Sequence, residues 1–96
     1  MSENSQDGWQ GLLQLCTQIE SSHEFDQFFD LLLTHEERET VASRYLIIKA
    51  LLEGVLTQRE ISEKYNVSIA QITRGSNALK ILTPKFKKTL LSKLLP

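Results

Sequence analysis

Three times along the chain a hydroxyl residue is followed three positions later by Glu or Gln: Thr34 with Glu37, Thr57 with Glu60, and Ser68 with Gln71. In this capping box the hydroxyl accepts an orphan amide of a helix's first turn, while the longer side chain reaches back to the cap amide. Each pair therefore predicts a helix start. Thr83 before Pro84 predicts another, because proline at the first helical position gives up an amide that has no partner there. Apolar residues recur at helical spacing almost throughout, and neither the two prolines nor any glycine cluster leaves room for a sheet. The expected fold is all-α, with roughly six short helices in one domain spanning residues 1–96.

The apolar stripes place these helices. Trp9, Leu12, Leu13, Cys16 and Ile19 form a first stripe, and Phe25, Phe28, Phe29 and Leu32 form a second after the polar break Ser21-Ser22-His23. Residues 1–7 are expected to be a loose arm. From Thr34 onward, Val41, Tyr45, Ile48 and Leu52 fall on one face of a longer helix, which Gly54 ends as a C-cap residue. The last helix carries Phe86, Leu90, Leu91, Leu94 and Leu95 on one side and Lys85, Lys88 and Lys93 largely elsewhere. Its apolar side must cover something, and another subunit is one partner that fits.

Charge is distributed unevenly. All 12 acidic residues lie at or before Glu63, whereas Lys64, Arg74, Lys80, Lys85, Lys87, Lys88 and Lys93 follow with no acid among them. A basic half of this kind suits a polyanion, although net charge governs association and not fold. The single cysteine, Cys16, has no intrachain partner, and the opening Met-Ser-Glu-Asn-Ser-Gln-Asp lacks the basic and apolar regions of a signal peptide. A cytoplasmic location is expected, without membrane function, since the longest apolar runs are core-sized. His23 and His35 show no metal or nucleophile spacing with Cys16, and Glu36, Glu37 and Glu39 suit the start of a helix dipole. No catalytic residue, metal or cofactor is expected; the chain does not read as an enzyme.

Residues 57–81 read as a helix-turn-helix reading head. Ile61, Tyr65, Val67 and Ile72 would hold two short capped helices together, Ser62 is small enough for close passage, and Asn66 sits where the turn often needs positive φ. An ordinary helical hairpin is the plainer alternative. In a reading head the second helix presents Ser68, Ile69, Ala70, Gln71 and Thr73 to base edges. Gln71 is the one residue suited to a bidentate contact with adenine, and Ile69 and Ala70 suit a thymine methyl, so direct readout is thin. Gln58, Arg59, Lys64 and Lys80 would serve phosphates, with Ser62 as a further contact. Gly75 stands late in the second helix, where a branched apolar residue is usual and glycine costs about 0.5 to 1 kcal/mol relative to alanine. It either leaves a flat slot that Arg74 lines by stacking on an aromatic ligand, or permits close packing against another helix. On the slot reading, leucine at position 75 would close the slot and spare the fold.

ITRGSN with LK two residues later, preceded by TQRE and further upstream by LLLT-x-x-ER, resembles the tryptophan repressor family over about Phe28 to Lys80. The resemblance implies water-mediated base contacts, and the reading of a thin direct readout is not independent of it. The resemblance implies an intertwined all-helical homodimer that binds a palindromic operator when the corepressor L-tryptophan fixes the spacing of the two heads. By carry-over, Arg74 pairs with the ligand carboxylate and flanks the indole with Arg44 on its other face, while Gly75 makes the room. Thr34 helps hold the carboxylate side, and the backbone carbonyls of Leu31 and Leu33 from the other subunit take the ammonium.

Three positions depart from the family pattern. Ala78 replaces a serine whose hydroxyl usually assists the ammonium; such a bond to a charged group is worth about 1.5 to 3 kcal/mol, so weaker tryptophan binding is expected unless the two carbonyls suffice. Ser62 stands where the family often has a phosphate-binding lysine, and Gln71 replaces a smaller threonine, so a different operator is expected. The rival reading is a related helix-turn-helix dimer that needs no small molecule, its Gly75 slot filled by packing. A third is a helical module whose basic half binds an acidic protein, which salt dependence on duplex DNA distinguishes.

Overall fold

The computed structural model of the chain describes residues 5–95. Among them are six helices and no strand: α1 (Ser5–Cys16), α2 (Ser22–Leu32), α3 (His35–Glu53), α4 (Gln58–Tyr65), α5 (Ile69–Lys80) and α6 (Pro84–Leu94). None is long and apolar enough to cross a membrane. The chain divides into two compact units, Met1–Arg38 and Glu39–Pro96.

In the first unit α1 begins at Ser5, inside the segment expected to be an arm; residues 1–4 of that segment lie outside the described residues. Asp7 stands in the first turn of α1, where the helix dipole favours an anion. Ser21, read from sequence as part of a polar break, is the N-cap of α2: its hydroxyl accepts the Glu24 amide at 3.1 Å. The Thr34 box forms as expected, the Thr34 amide donating to Glu37 Oε1 at 2.8 Å and the Glu37 amide to Thr34 Oγ1 at 3.1 Å. Arg38 then reaches back to Asp26 at 3.5 Å and Asp30 at 3.3 Å, tying α2 to the start of α3 through two exposed ion pairs of small energetic weight. Neither α1 nor α2 holds a buried residue, and Trp9, Leu13, Leu15, Phe29, Leu31 and Leu32 are exposed.

The second unit contains the core. Ile47 and Ala50 from α3, Ile61 from α4, Val67 from the turn and Ile72 from α5 are buried, with Leu51, Leu56 and Tyr65 packed against them. The four residues expected to join the two short helices thus do so. On α3 the expectation shifts by a face: Val41 and Tyr45 are about half exposed, and the buried pair is Ile47 and Ala50. The cause is that α3 is apolar on more than one side, so the side that α4 and α5 cover is not the one that spacing alone picks out.

The connections follow backbone chemistry. Gly54 ends α3 at φ +70°, and Asn66 ends α4 in the left-handed region at φ 54°, ψ 48°, which asparagine tolerates better than most residues. Both boxes expected here are complete, at Thr57–Glu60 and Ser68–Gln71. The Glu60 carboxyl lies below its ordinary range, held there by the backbone amide and then the hydroxyl of Thr57. Thr83 caps α6 by accepting the Phe86 amide at 3.2 Å, with Pro84 in the first turn. Helix α6 has no buried residue, and Phe86 is half exposed.

Candidate ligand slot and nucleic-acid interface

Close approach of α3 and α5 creates a concave feature in the second unit. A cavity of about 490 Å³ is lined by Thr40, Arg44, Ile47 and Ile48 from α3 and by Gln71, Arg74, Gly75 and Ala78 from α5. Its size lies in the range of small-molecule sites. Both sets follow helical spacing. Positions 40, 44, 47 and 48 make one stripe, and 71, 74, 75 and 78 make the other, so the slot lies between two helix faces.

The chemistry of the walls is specific. Ile47, Ile48, Gly75 and Ala78 give an apolar floor, while Arg44 and Arg74 contribute two guanidinium groups from opposite helices. Among the described residues neither arginine is paired with a carboxylate. Two unpaired guanidinium groups beside an apolar surface suit a flat ligand that carries a carboxylate, since arginine both stacks on aromatic faces and forks onto carboxylates.

Gly75 both meets α3 closely and lines the slot. A Cβ built on it would lie 2.9 Å from Ile47 Cγ2 and 3.6 Å from side-chain atoms of Ile48 and Leu51, so α3 packs directly on the glycine backbone. The same residue lines the slot. The expectation that leucine at this position would spare the fold is therefore overturned: even an alanine methyl meets the stiff branch of Ile47, whose Cγ2 cannot swing away as the tip of a long side chain could.

Of the ligand set expected from the sequence, Arg44, Arg74, Gly75 and Ala78 line one cavity. Leu31, Leu33 and Thr34 belong to the first unit; Leu31 is 85% exposed, Leu33 caps the end of α2, and the Thr34 hydroxyl is engaged in its box. Gln71 was expected in its cap and at a base edge, and Thr40, Ile47 and Ile48 were not singled out for the slot. Their spacing from Arg44 was the available signal, because any residue four before or three or four after it shares its face.

The expected DNA-contacting residues lie on α4, the turn and α5. Ile69, Ala70 and Thr73 are exposed on the first turns of α5, while Ile72 between them is fully buried, so one face anchors the helix and another is presented outward. Gln58, Arg59 and Lys80 are exposed, Arg59 within 3.4 Å of Glu63. The Nζ of Lys64 lies 5.5 Å over the Tyr65 ring.

Two members of this set have internal duties. Ser62 Oγ donates to the Val67 carbonyl at 2.6 Å, which spends its only proton inside the turn. A phosphate only accepts hydrogen bonds, so it would find no donor at Ser62 unless that bond broke. Gln71 Oε1 accepts from both the amide and the hydroxyl of Ser68, at 2.9 and 3.2 Å. These occupy both lone pairs of Oε1, one of which a bidentate adenine contact would need to accept the adenine amino group.

Fold and site together define a small all-α protein with an arginine-walled slot beside an outward-facing helix end. Comparison with known proteins agrees with that class. The family described as "Trp repressor protein" matches residues 7–94. The chain is 58% identical to a "Trp operon repressor homolog" of Chlamydia caviae over 88 residues, covering 92% of this chain and 87% of that protein. It is also 58% identical to the homolog from Chlamydia trachomatis serovar D over 90 residues, covering 94% and 96% respectively. A homolog from Vibrio cholerae is 40% identical over 88 residues, covering 92% and 85%. The chain belongs to the Trp repressor protein family. That is a family of transcriptional repressors and not of enzymes.

Proposed function

We propose that the chain is an L-tryptophan-dependent transcriptional repressor, acting as a homodimer that grips a palindromic operator through two helix-turn-helix heads. The observation that carries this reading is the slot itself: Arg44, Arg74 and Gly75 line one cavity, and α5, which supplies half of its wall, also presents Ile69, Ala70 and Thr73 outward. A ligand seated against α5 acts on the element that would enter the major groove. Its effect on DNA binding equals its differential affinity for heads at the right spacing.

Residue roles follow from the chemistry available. Arg74 pairs with the ligand carboxylate and, with Arg44, sandwiches the indole over Gly75. Leu31 and Leu33 of the second subunit, with Thr34, complete the polar end. On the DNA side Ser68, Ile69, Ala70 and Thr73 meet base edges, and Gln58, Arg59 and Lys80 meet phosphates, which fix register without reading sequence. The exposed apolar residues of α1 and α2 support the dimer, since a second copy would bury what one chain leaves in water. L-tryptophan is a ligand here and not a catalytic cofactor.

A second reading is favoured by one observation: close packing of Ile47 on Gly75 explains the glycine without any ligand. It describes a helix-turn-helix dimer that binds DNA unaided. Calorimetric titration with L-tryptophan, with tryptamine and indole-3-propionate as controls, separates the two. Saturable binding near one ligand per chain, weakened when either the ammonium or the carboxylate is missing, supports the corepressor reading. No binding at millimolar ligand gives first place to the unaided dimer.

A further inference from the structure

Gln71 is the one residue that belongs both to the slot wall and to the cap of α5. Its backbone amide donates to Ser68 Oγ at 3.1 Å, and its Oε1 receives the Ser68 amide and hydroxyl. The residue also lines the cavity, one helical turn before Gly75 and on the face of α5 that holds Arg74 and Ala78. Ser68 itself does not line the cavity. We propose that Gln71 is a positioning residue through which occupancy of the slot fixes the first turn of α5.

The coupling is local and physical. Gln71 is exposed, so solvent competes with Ser68 for its Oε1. A planar ligand seated between Arg44 and Arg74 covers this part of the wall, removes competing water and restricts the rotamers to those the cavity allows. The rotamer seen here is the one that completes the capping box, so a filled slot holds the Ser68 and Gln71 amides in their bonds. Linkage makes the effect reciprocal: whatever strengthens the cap strengthens ligand binding by the same factor. The residue is thus more than a candidate base contact, since its acceptor is already used to shape the turn that carries Ile69 and Ala70.

This inference rests on the slot being the L-tryptophan site, and its test separates the two. Amide hydrogen exchange of the full chain is measured with and without saturating L-tryptophan, and L-tryptophan affinity is measured by calorimetry for the wild type, Ser68→Ala and Ser68→Thr. The expected result is slower exchange at Ser68 and Gln71 on ligand binding, with the Thr57 and Glu60 amides of the α4 box unchanged. Ser68→Ala, which lies outside the slot, weakens L-tryptophan binding about fivefold, and Ser68→Thr restores it. A wild type that binds L-tryptophan without altered exchange at Ser68 and Gln71, or a Ser68→Ala variant that binds as tightly as wild type, overturns the role of Gln71 alone. A wild type with no saturable binding overturns the slot assignment and this inference with it.

Discussion

Ser62 and Val67 close the turn between α4 and α5 through one hydrogen bond, the Ser62 hydroxyl donating to the Val67 carbonyl at 2.6 Å. Serine at this position is therefore an internal brace for a turn whose reversal depends on Asn66 in the left-handed region. Ser62→Ala should lower unfolding stability by about 1 kcal/mol, the net worth of such a bond. Denaturant titration measures this. Unchanged stability together with weaker binding to duplex DNA would instead return Ser62 to the phosphate contacts.

Gly75→Ala should destabilise the chain by about 1 to 3 kcal/mol, because the added methyl falls 2.9 Å from Ile47 Cγ2 in a packed contact. Combining it with Ile47→Ala should cost less than the two changes separately, since the second removes the atom the first strikes. Strict additivity in the thermodynamic cycle would mean that the helices separate without difficulty and that the glycine is there for the ligand.

Arg74→Ala should abolish the response to L-tryptophan, since it removes one of two unpaired guanidinium groups from the slot wall. Lys80→Ala, on the last turn of the same helix, should weaken DNA binding across sequences and reduce the salt slope by about one. Fluorescence anisotropy over a salt series, with and without ligand, reads both. A normal ligand response in Arg74→Ala would show that the pocket lies elsewhere.

The carboxyl of Glu60 sits below its ordinary range because the amide and hydroxyl of Thr57 favour its ionised form. A group whose pKa is lower in the folded chain than in the unfolded one contributes stability that is present above the unfolded value and lost as pH falls through the folded one. The start of α4 should accordingly loosen in acid. Glu60→Gln keeps the box without the titration, so exchange of the Thr57 amide in that variant should lose its acid-dependent rise after correction for intrinsic rates. Identical acid profiles for the two proteins would count against the carboxylate as the cause.

Dilution should unfold the protein. A homodimer that relies on its partner to cover Trp9, Leu13, Leu15 and Phe29 has no stable folded monomer, so helical content and sedimentation should fall together as concentration decreases. A folded monomer at low concentration would rule out the intertwined arrangement.

Most of the fold was legible because its punctuation is local. A capping box is set by two residues three positions apart, and Asn66 and Gly54 mark the helix ends where positive φ was needed, so neither depends on tertiary contacts. The buried face of α3 was less legible. Val41 and Tyr45 satisfy the same spacing as a core stripe, and only the position of α4 and α5 selects Ile47 and Ala50. Within the slot, Arg74 and Gly75 could be named because a glycine late in a helix beside an arginine is unusual, and Arg44 followed only from the family resemblance, whereas Thr40, Ile47 and Ile48 are ordinary residues made notable only by the neighbouring helix. Side-chain use was hardest to foresee at Ser62, whose hydrogen bond to Val67 turns a residue expected to meet phosphate toward its own backbone, whereas the cap of Gln71 was legible as a box.

The three faces of α5 also bear on how such a protein can change over generations. Substitutions at Ile69, Ala70 and Thr73 leave the slot lining intact, and substitutions at Ala78 leave those outward residues intact, so preference for a target sequence and preference for a small molecule can drift separately. Gln71 is the exception. Because it stands in the slot wall and in the helix cap at once, a change there alters both traits together, and lineages that exchange this residue should show altered targets and altered effectors in the same step.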